Sequence, residues 1–453
     1  MACPAMSELS APMTAKVLIE QVRSTFETLP DVRKGGPNQR YGLQDAALSA
    51  FAVFFTQSPS FLDYQVRMQK DKGRNNANTL FGVHKIPSDP QIRNLLDPVE
   101  PEHLAPLFID TVALMHRQGR LETHRTLGGL LIALDGTQYF SSTAISCPHC
   151  SSKALRNGQT QHFHIALTPV VVAPGRAAVF PLPPAFVVPQ DGHDKQDCEL
   201  AAGARWLTQW APRVTQWGAT TFLGDDLYCH QPFCQKVLAQ GCHFVFTCLP
   251  ASHATLYEWV TELTRIGAVN SVTHTRWTGT QRLSDTYRFA SDLPLRDSDD
   301  ALRVHWCELT TTNASGKVLY RNAWATSHAI TAHNVVEVAQ AGRSRWKIEN
   351  ENNNTLKTKG YHFEHNFGHG KQHLSSLLAS MMMLAYLMHT VLDLADQRYC
   401  AVRAELPSRI TFFEHLRALA QYLPFENWDA LFDFMLEGLQ PVPRKGKKGI
   451  DTG

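Results

Sequence analysis

Two apolar runs in this 453-residue chain end in carboxylates. Leu130-Leu131-Ile132-Ala133-Leu134 leads into Asp135-Gly136-Thr137, and Thr220-Thr221-Phe222-Leu223-Gly224 leads into Asp225-Asp226. A third acidic group, Glu349 and Glu351, lies in the downstream segment Arg345-Trp346-Lys347-Ile348-Glu349-Asn350-Glu351. Short continuous apolar runs read as buried strands, so both aspartates are expected at strand ends, where open α/β sheets bind ligands. Three carboxylates converging there repel one another at neutral pH, and divalent cations relieve that repulsion. All-oxygen sites suit Mg²⁺ or Mn²⁺. Two such ions about 3.5–4 Å apart activate a water or hydroxyl and stabilise the leaving oxygen of a phosphodiester. Strand-end aspartates are also ordinary turn formers, so spacing alone leaves both readings open. Neighbours on a strand face opposite ways. Only one of Asp225 and Asp226 is therefore expected to face metal, the other being solvated or a cap.

A second constellation has metal-ligand spacing. Cys147-Pro148-His149-Cys150 is followed by His162 and His164, and two cysteines with two later ligands form the usual structural Zn²⁺ arrangement. The expected ligands are Cys147, Cys150, His162 and His164; His149 lies inside the knuckle. The competing reading is reduced thiols in a polar turn. The polar run Gln190–Glu199 reads as a solvated loop with Asp197 as a helix cap, the alternative being a DNA or metal contact near the active site, and Gly360–His373, rich in His and Gly, as a flexible basic loop suited to a phosphate backbone.

The blocks LDGT (134–137), LGDDLY (223–228) and RWKIENENNNTLKTKGYHFEHNFGHGKQH (345–373) together resemble an insertion-sequence DDE transposase. More narrowly they are similar to the bacterial group with a β-rich insertion before the glutamate. The resemblance covers residues 125–396. It implies an α/β fold with an RNase H-like mixed β-sheet core flanked by helices. It also implies metal-dependent hydrolysis at transposon ends, strand transfer by the freed 3′-hydroxyl, two Mg²⁺ or Mn²⁺ ions, and a homodimer on double-stranded DNA (transposon ends and target). By the same resemblance Asp135, Asp225 (three before Tyr228) and Glu349 (four after Arg345) are the catalytic metal carboxylates, with Asp226 and Glu351 as alternatives. Arg345, Lys357, Tyr228, Lys371 and His369 are the expected DNA contacts.

Helical geometry adds to this. Arg345 and Glu349 are four apart and share a helix face. The family's lysine two turns beyond the glutamate is replaced by Leu356, and Lys357 lies on the same side of the helix as Glu349. The family's tyrosine three before the arginine is replaced by Gly342; Tyr228 and Tyr361 are the aromatic residues that could stand in.

The elements that must position these groups fall into five segments. Residues 1–125 read as a helical N-terminal domain, a DNA-binding candidate, with a basic amide-rich loop at Gln65–Asn78 and a helix starting at Asp89-Pro90 with Asp89 as cap. Residues 126–267 read as the first part of the α/β core, and 268–330 as an all-β insertion. Residues 331–400 read as the glutamate helix and an apolar core helix, and 401–453 as a helical segment with a disordered basic tail. The apolar stretch Leu374–Ala395 is near spanning length but carries polar residues, so it reads as a buried helix and no membrane is expected.

A formal charge of +2, with 43% hydrophobic and 19% charged residues, excludes a disordered chain and gives no global polyanion signal. Basic segments at 65–78, 343–371 and 444–448 would supply that charge locally. Ten cysteines in this length are no disulfide density, so the expected compartment is the cytoplasm, at the nucleoid. No nucleophile elbow or Gly-rich phosphate loop is present. Three other readings remain: a metal-dependent nuclease on the same core without strand transfer, an inactive transposase-derived DNA-binding protein, and a zinc-stabilised binding module.

Overall fold

The computed structural model describes residues 13–33, 40–188 and 198–440. The expected Asp197 cap and the basic tail lie outside the described residues. The N-terminal part is helical: α1 (Ala15–Glu27), α2 (Leu43–Phe55), α3 (Phe61–Met68), α4 (Asp71–Phe81), α5 (Asp89–Leu96) and α6 (Ala105–Arg117). The amide-rich stretch 65–78 is therefore mostly helix rather than loop. Its amides are partly structural: buried Asn76 donates to the carbonyls of Ala420 and Leu423 and accepts from the Phe425 N–H. At α5 the cap is Ser88, which forms a capping box with Gln91, and Asp89 is already helical.

Fourteen strands follow among the described residues. They are β1 (Arg125–Thr126), β2 (Gly129–Ala133), β3 (Gly136–Ser142), β4 (Ser151–Ala154), β5 (Thr160–Leu167), β6 (Val170–Val172), β7 (Phe180–Pro181), β8 (Ala185–Val187), β9 (Thr220–Gly224), β10 (His243–Thr247), β11 (Asn270–Trp277), β12 (Arg282–Pro294), β13 (Arg303–Asn313) and β14 (Val318–Thr326). Between them lie α7 (Glu199–Val214), α8 (Gln231–Ala239) and α9 (Ala254–Arg265). After them come α10 (Val335–Arg343), α11 (Asn354–Thr358), α12 (Leu374–Ala395), α13 (Gln397–Glu405), α14 (Arg409–Tyr422) and α15 (Trp428–Leu439).

The fold is mixed α/β. One sheet runs β11-β12-β13-β14-β10-β9-β2-β6-β7, with β1 beside β2. β2, β9 and β10 are mutually parallel, β6 is antiparallel to β2, and β7 to β6. Every residue of β2 and β9 is buried, which is why both read as unbroken apolar runs rather than alternating ones. The β-rich segment is no free-standing sheet: β14 pairs antiparallel with β10, so its four long strands extend the central sheet. The stretch 162–172 divides between two sheets. β5 belongs with β3, β4 and β8 in a second sheet, while β6 joins the first.

α12 is apolar on all sides because it is a core helix. Its 22 residues meet the length and composition of a membrane span, and 89% of its most apolar window is buried inside the protein. It packs on α2, α6, α13 and β7. The first and last helical segments also join: Trp428 Nε1 donates to the Leu80 carbonyl, and Thr79 Oγ1 to that of Phe425.

Candidate active site and metal centre

Asp135 and Asp225 directly follow the parallel neighbours β2 and β9, two and one residues past their ends. Register fixes their closeness, since Ala133 pairs with Leu223 and the Leu134 N–H donates to the Leu223 carbonyl. Asp225 Oδ1 accepts from the Leu227 N–H at 2.9 Å. Asp226 turns elsewhere: its Oδ1 accepts from the Leu249 N–H at 2.7 Å and lies 3.3 Å from His253 Nε2. Both aspartates lie past the strand end, in the cap and first residue of the 3₁₀ turn Asp226–Tyr228, so it is the turn rather than strand alternation that sends their side chains to different partners.

Glu349 arrives from the far end of the chain. After α10 the backbone tightens into a 3₁₀ turn at Ser344–Trp346, then widens into a π-helix at Ile348–Asn353 before α11. Such wide turns are rare and concentrate at functional sites. Arg345 bridges the acids: Nη2 is 2.7 Å from Glu349 Oε1, and Nη1 is 4.0 Å from Asp135 Oδ1. Glu349 remains half-exposed, open to a ligand. Glu351 leaves the cluster, lining a separate cavity with Tyr386, Asp393 and Arg409, and its carbonyl accepts from the Tyr386 hydroxyl.

Two further residues lie beside these acids: Asn353, which was not singled out from the sequence, and Glu199, the last residue of the polar run 190–199. Asn353 Nδ2 donates to Asp135 Oδ2 at 3.3 Å and its Oδ1 accepts from Thr168 Oγ1 at 3.0 Å. Glu199, the first residue of α7, is mostly buried and accepts from the Tyr228 hydroxyl at 2.6 Å. Gly136 lets the Glu199 carboxylate approach closely, since a Cβ at that position would push that side-chain end aside. An acid in the first turn of a helix after strand-end acids was a signal available in the sequence, but an unremarkable one.

The electrostatics are those of crowded carboxylates. Burial pushes the Asp135 carboxyl up to about 7; the charges of Glu199, Glu349 and Asp225 add to this, against the pull of Arg345. Burial also raises Glu199, opposed by the Tyr228 hydrogen bond. Asp135, Asp225, Glu199 and Glu349 are oxygen donors of the kind hard divalent cations take, but unlike the Cys/His clusters they are not gathered within 4.8 Å of one another as a metal-holding group.

Several expected DNA contacts are engaged otherwise. Tyr228 is fully buried beside Glu199. Lys357 Nζ pairs with Glu364 Oε1 at 2.9 Å, and Leu356, in the place of the family's lysine, is buried. Gly342 cannot be a tyrosine: its Cβ would lie 2.5 Å from Trp324 Nε1. Tyr361 is buried and bonded to His389 and Arg409. Lys371 is exposed, but its loop is tied down, because Asp97 accepts from the N–H groups of Lys371, Gln372 and Leu374. Phe363 and Phe367 are buried in the same segment.

The cysteine knuckle gathers a ligand set that differs from the expected one by a residue. Cys147, Cys150, His164 and His369 form a cluster that could hold a metal ion. Sγ–Sγ is 3.8 Å, Cys147 Sγ–His164 Nε2 3.6 Å, Cys150 Sγ–His164 Nε2 3.4 Å, Cys150 Sγ–His369 Nε2 3.5 Å and Nε2–Nε2 3.1 Å. The edges of a tetrahedron about Zn²⁺ with ordinary bond lengths are about 3.8 Å for S–S, 3.5 Å for S–N and 3.3 Å for N–N. His369, expected to touch DNA, is thus in the cluster, and His162 is not. His162, two residues along β5 from His164, is not part of the gathered group. His369 Nδ1 faces the Gly370 carbonyl at 3.1 Å, which leaves Nε2 free to ligate. Burial pushes His164 down to about 4 and lowers His369, so both imidazoles are neutral, as ligation needs, while it raises the Cys147 thiol to about 11. The chain matches no protein-family model and no curated protein.

Proposed function

We propose that this protein is a DDE transposase: a metal-dependent polynucleotidyl transferase that cuts insertion-sequence ends and joins them to target DNA. The observation that carries this is that Asp135 and Asp225 follow the adjacent parallel strands β2 and β9, with Arg345 from the downstream helical segment lying between Asp135 and Glu349. The mixed sheet, with antiparallel β6 and β7 on one side of β2 and parallel β9 and β10 on the other, supports an RNase H-like core. Asp135, Asp225 and Glu349 would hold two Mg²⁺ or Mn²⁺ ions, with Glu199 beside them. Bound there, such ions supply activation of a water or 3′-hydroxyl and stabilise the departing oxygen.

The protein's own groups orient that donor set. Asn353 fixes one oxygen of Asp135, Tyr228 fixes Glu199, and Arg345 holds Glu349 while offering a cation to a phosphate. In hydrolysis the water oxygen forms a bond to phosphorus as the bridging P–O bond breaks, freeing a 3′-hydroxyl. In joining, that hydroxyl forms a new P–O bond as one in the target breaks. The partners in this reading are double-stranded DNA ends and target, with a homodimer bridging two ends, in the cytoplasm at the nucleoid. Zn²⁺ on Cys147, Cys150, His164 and His369 would be structural, joining the segment after the glutamate helix to the second sheet.

The test uses purified protein, Mg²⁺ and DNA carrying the sequences that flank the coding region. Nicked ends and joined products are expected. Cuts without joined products would leave the nuclease reading, and a gel shift without metal-dependent cutting the binding-protein reading.

A further inference from the structure

A second group of soft ligands lies behind Asp225. Cys229 follows the 3₁₀ turn Asp226–Tyr228, Cys248 follows β10, and His253 precedes α9. All three are buried, and one potential ligand atom from each lies within 4.8 Å of the others. Buried cysteines alone behave as small apolar residues, so the histidine decides the reading. His253 is 4% exposed, and its Nε2 has no hydrogen-bond partner. An unpaired buried ring nitrogen costs stability unless something accepts its lone pair or proton. Asp226 Oδ1 lies 3.3 Å from that nitrogen and also accepts from the Leu249 N–H.

We propose that Cys229, Cys248 and His253 bind a thiophilic divalent cation of the Zn²⁺ class. The donor set is two sulfurs and one nitrogen, typical of Zn²⁺ and unlike the carboxylates around Asp225. The ion would fasten the loop bearing Asp225 to the Cys248–His253 loop. Those loops already share the Asp226–Leu249 bond, and the Tyr257 hydroxyl holds the Cys248 carbonyl. The site is separate from the Cys147 cluster and does not depend on transposase activity.

The experiment measures zinc per chain by elemental analysis on full-length protein expressed with zinc, together with the thiolate charge-transfer absorption after Co²⁺ substitution. Two equivalents are expected in the wild type, falling to one in His253→Gln, with loss of part of the cobalt–thiolate band. The Cys147→Ser/Cys150→Ser protein, which leaves these thiols untouched, should retain one equivalent with sulfur in its shell by X-ray absorption. Zinc content unchanged by His253→Gln overturns the proposal, as does a Cys147→Ser/Cys150→Ser protein that folds and holds no zinc, or a Cys229–Cys248 disulfide in mass spectra of the alkylated protein.

Discussion

Asn353 Nδ2 donates to Asp135 Oδ2 at 3.3 Å across 218 residues of chain. The contact joins the segment just after β2 to the end of the π-helix that carries Glu349, so the two carboxylates are positioned together. Outer-shell partners of metal ligands typically contribute a factor of about 10–100 in metal affinity. Asn353→Ala is therefore expected to raise the Mg²⁺ concentration for half-maximal DNA nicking by about tenfold or more. An unchanged metal requirement would show that the contact does not orient Asp135.

The raised Asp135 carboxyl links stability to pH. Its folded pKa of about 7 lies above the ordinary 3.8, so between those values the native chain holds a proton that the unfolded chain has lost. Its contribution therefore falls as pH rises from about 4 to about 7 and is constant beyond. Without divalent metal, Asp135→Asn should melt higher than wild type at pH 8, with the gap closing towards pH 4. Mg²⁺ should raise the wild-type melting temperature more at pH 8 than at pH 5, since it competes with that proton. Parallel melting curves for the two proteins across this range would contradict the assignment.

The cysteine–histidine cluster makes a prediction that separates two neighbouring histidines. His369→Ala should lower zinc content by one equivalent per chain and reduce thermal stability, because the ion ties residues 147–150 and 164 to a segment more than 200 residues on. His162→Ala should leave zinc content unchanged. Elemental analysis with thermal melts checks both, and the reverse pattern would restore the ligand set expected from sequence spacing.

Gly342 is fixed by packing. A Cβ there would lie 2.5 Å from Trp324 Nε1, and Trp324 is fully buried in β14. Overpacking of this kind typically costs about 1–3 kcal/mol, so Gly342→Ala should lower the urea midpoint by that equivalent. Unaltered stability would mean that the indole moves aside.

Much of the core was legible from residues. The runs before Asp135 and Asp225 are apolar at every position because β2 and β9 are interior strands, and that pattern marks both strand and carboxylate end. Helical spacing correctly paired Arg345 with Glu349. What stayed hidden depends on contacts between distant segments. His369 joins the Cys147 knuckle through folding of a loop 200 residues away, and a run of His and Gly carries no mark of it. Asn353 meets Asp135 only because the helix widens into a π-turn, which ideal periodicity does not foresee. Asn76 reads as part of a solvated nucleic-acid loop because its partners, the carbonyls of Ala420 and Leu423, lie at the other end of the chain.

Metal-dependent nicking of the coding region's flanking DNA by the wild type, Glu349→Ala and Glu351→Ala, with DNA binding measured in parallel, tests the central claim most directly. The account predicts cutting by the wild type and Glu351→Ala, and none by Glu349→Ala despite retained binding, because Glu349 alone reaches Arg345 and the Asp135 cluster. Full cleavage by Glu349→Ala, or bound wild-type protein that never cuts with Mg²⁺ or Mn²⁺, would contradict it.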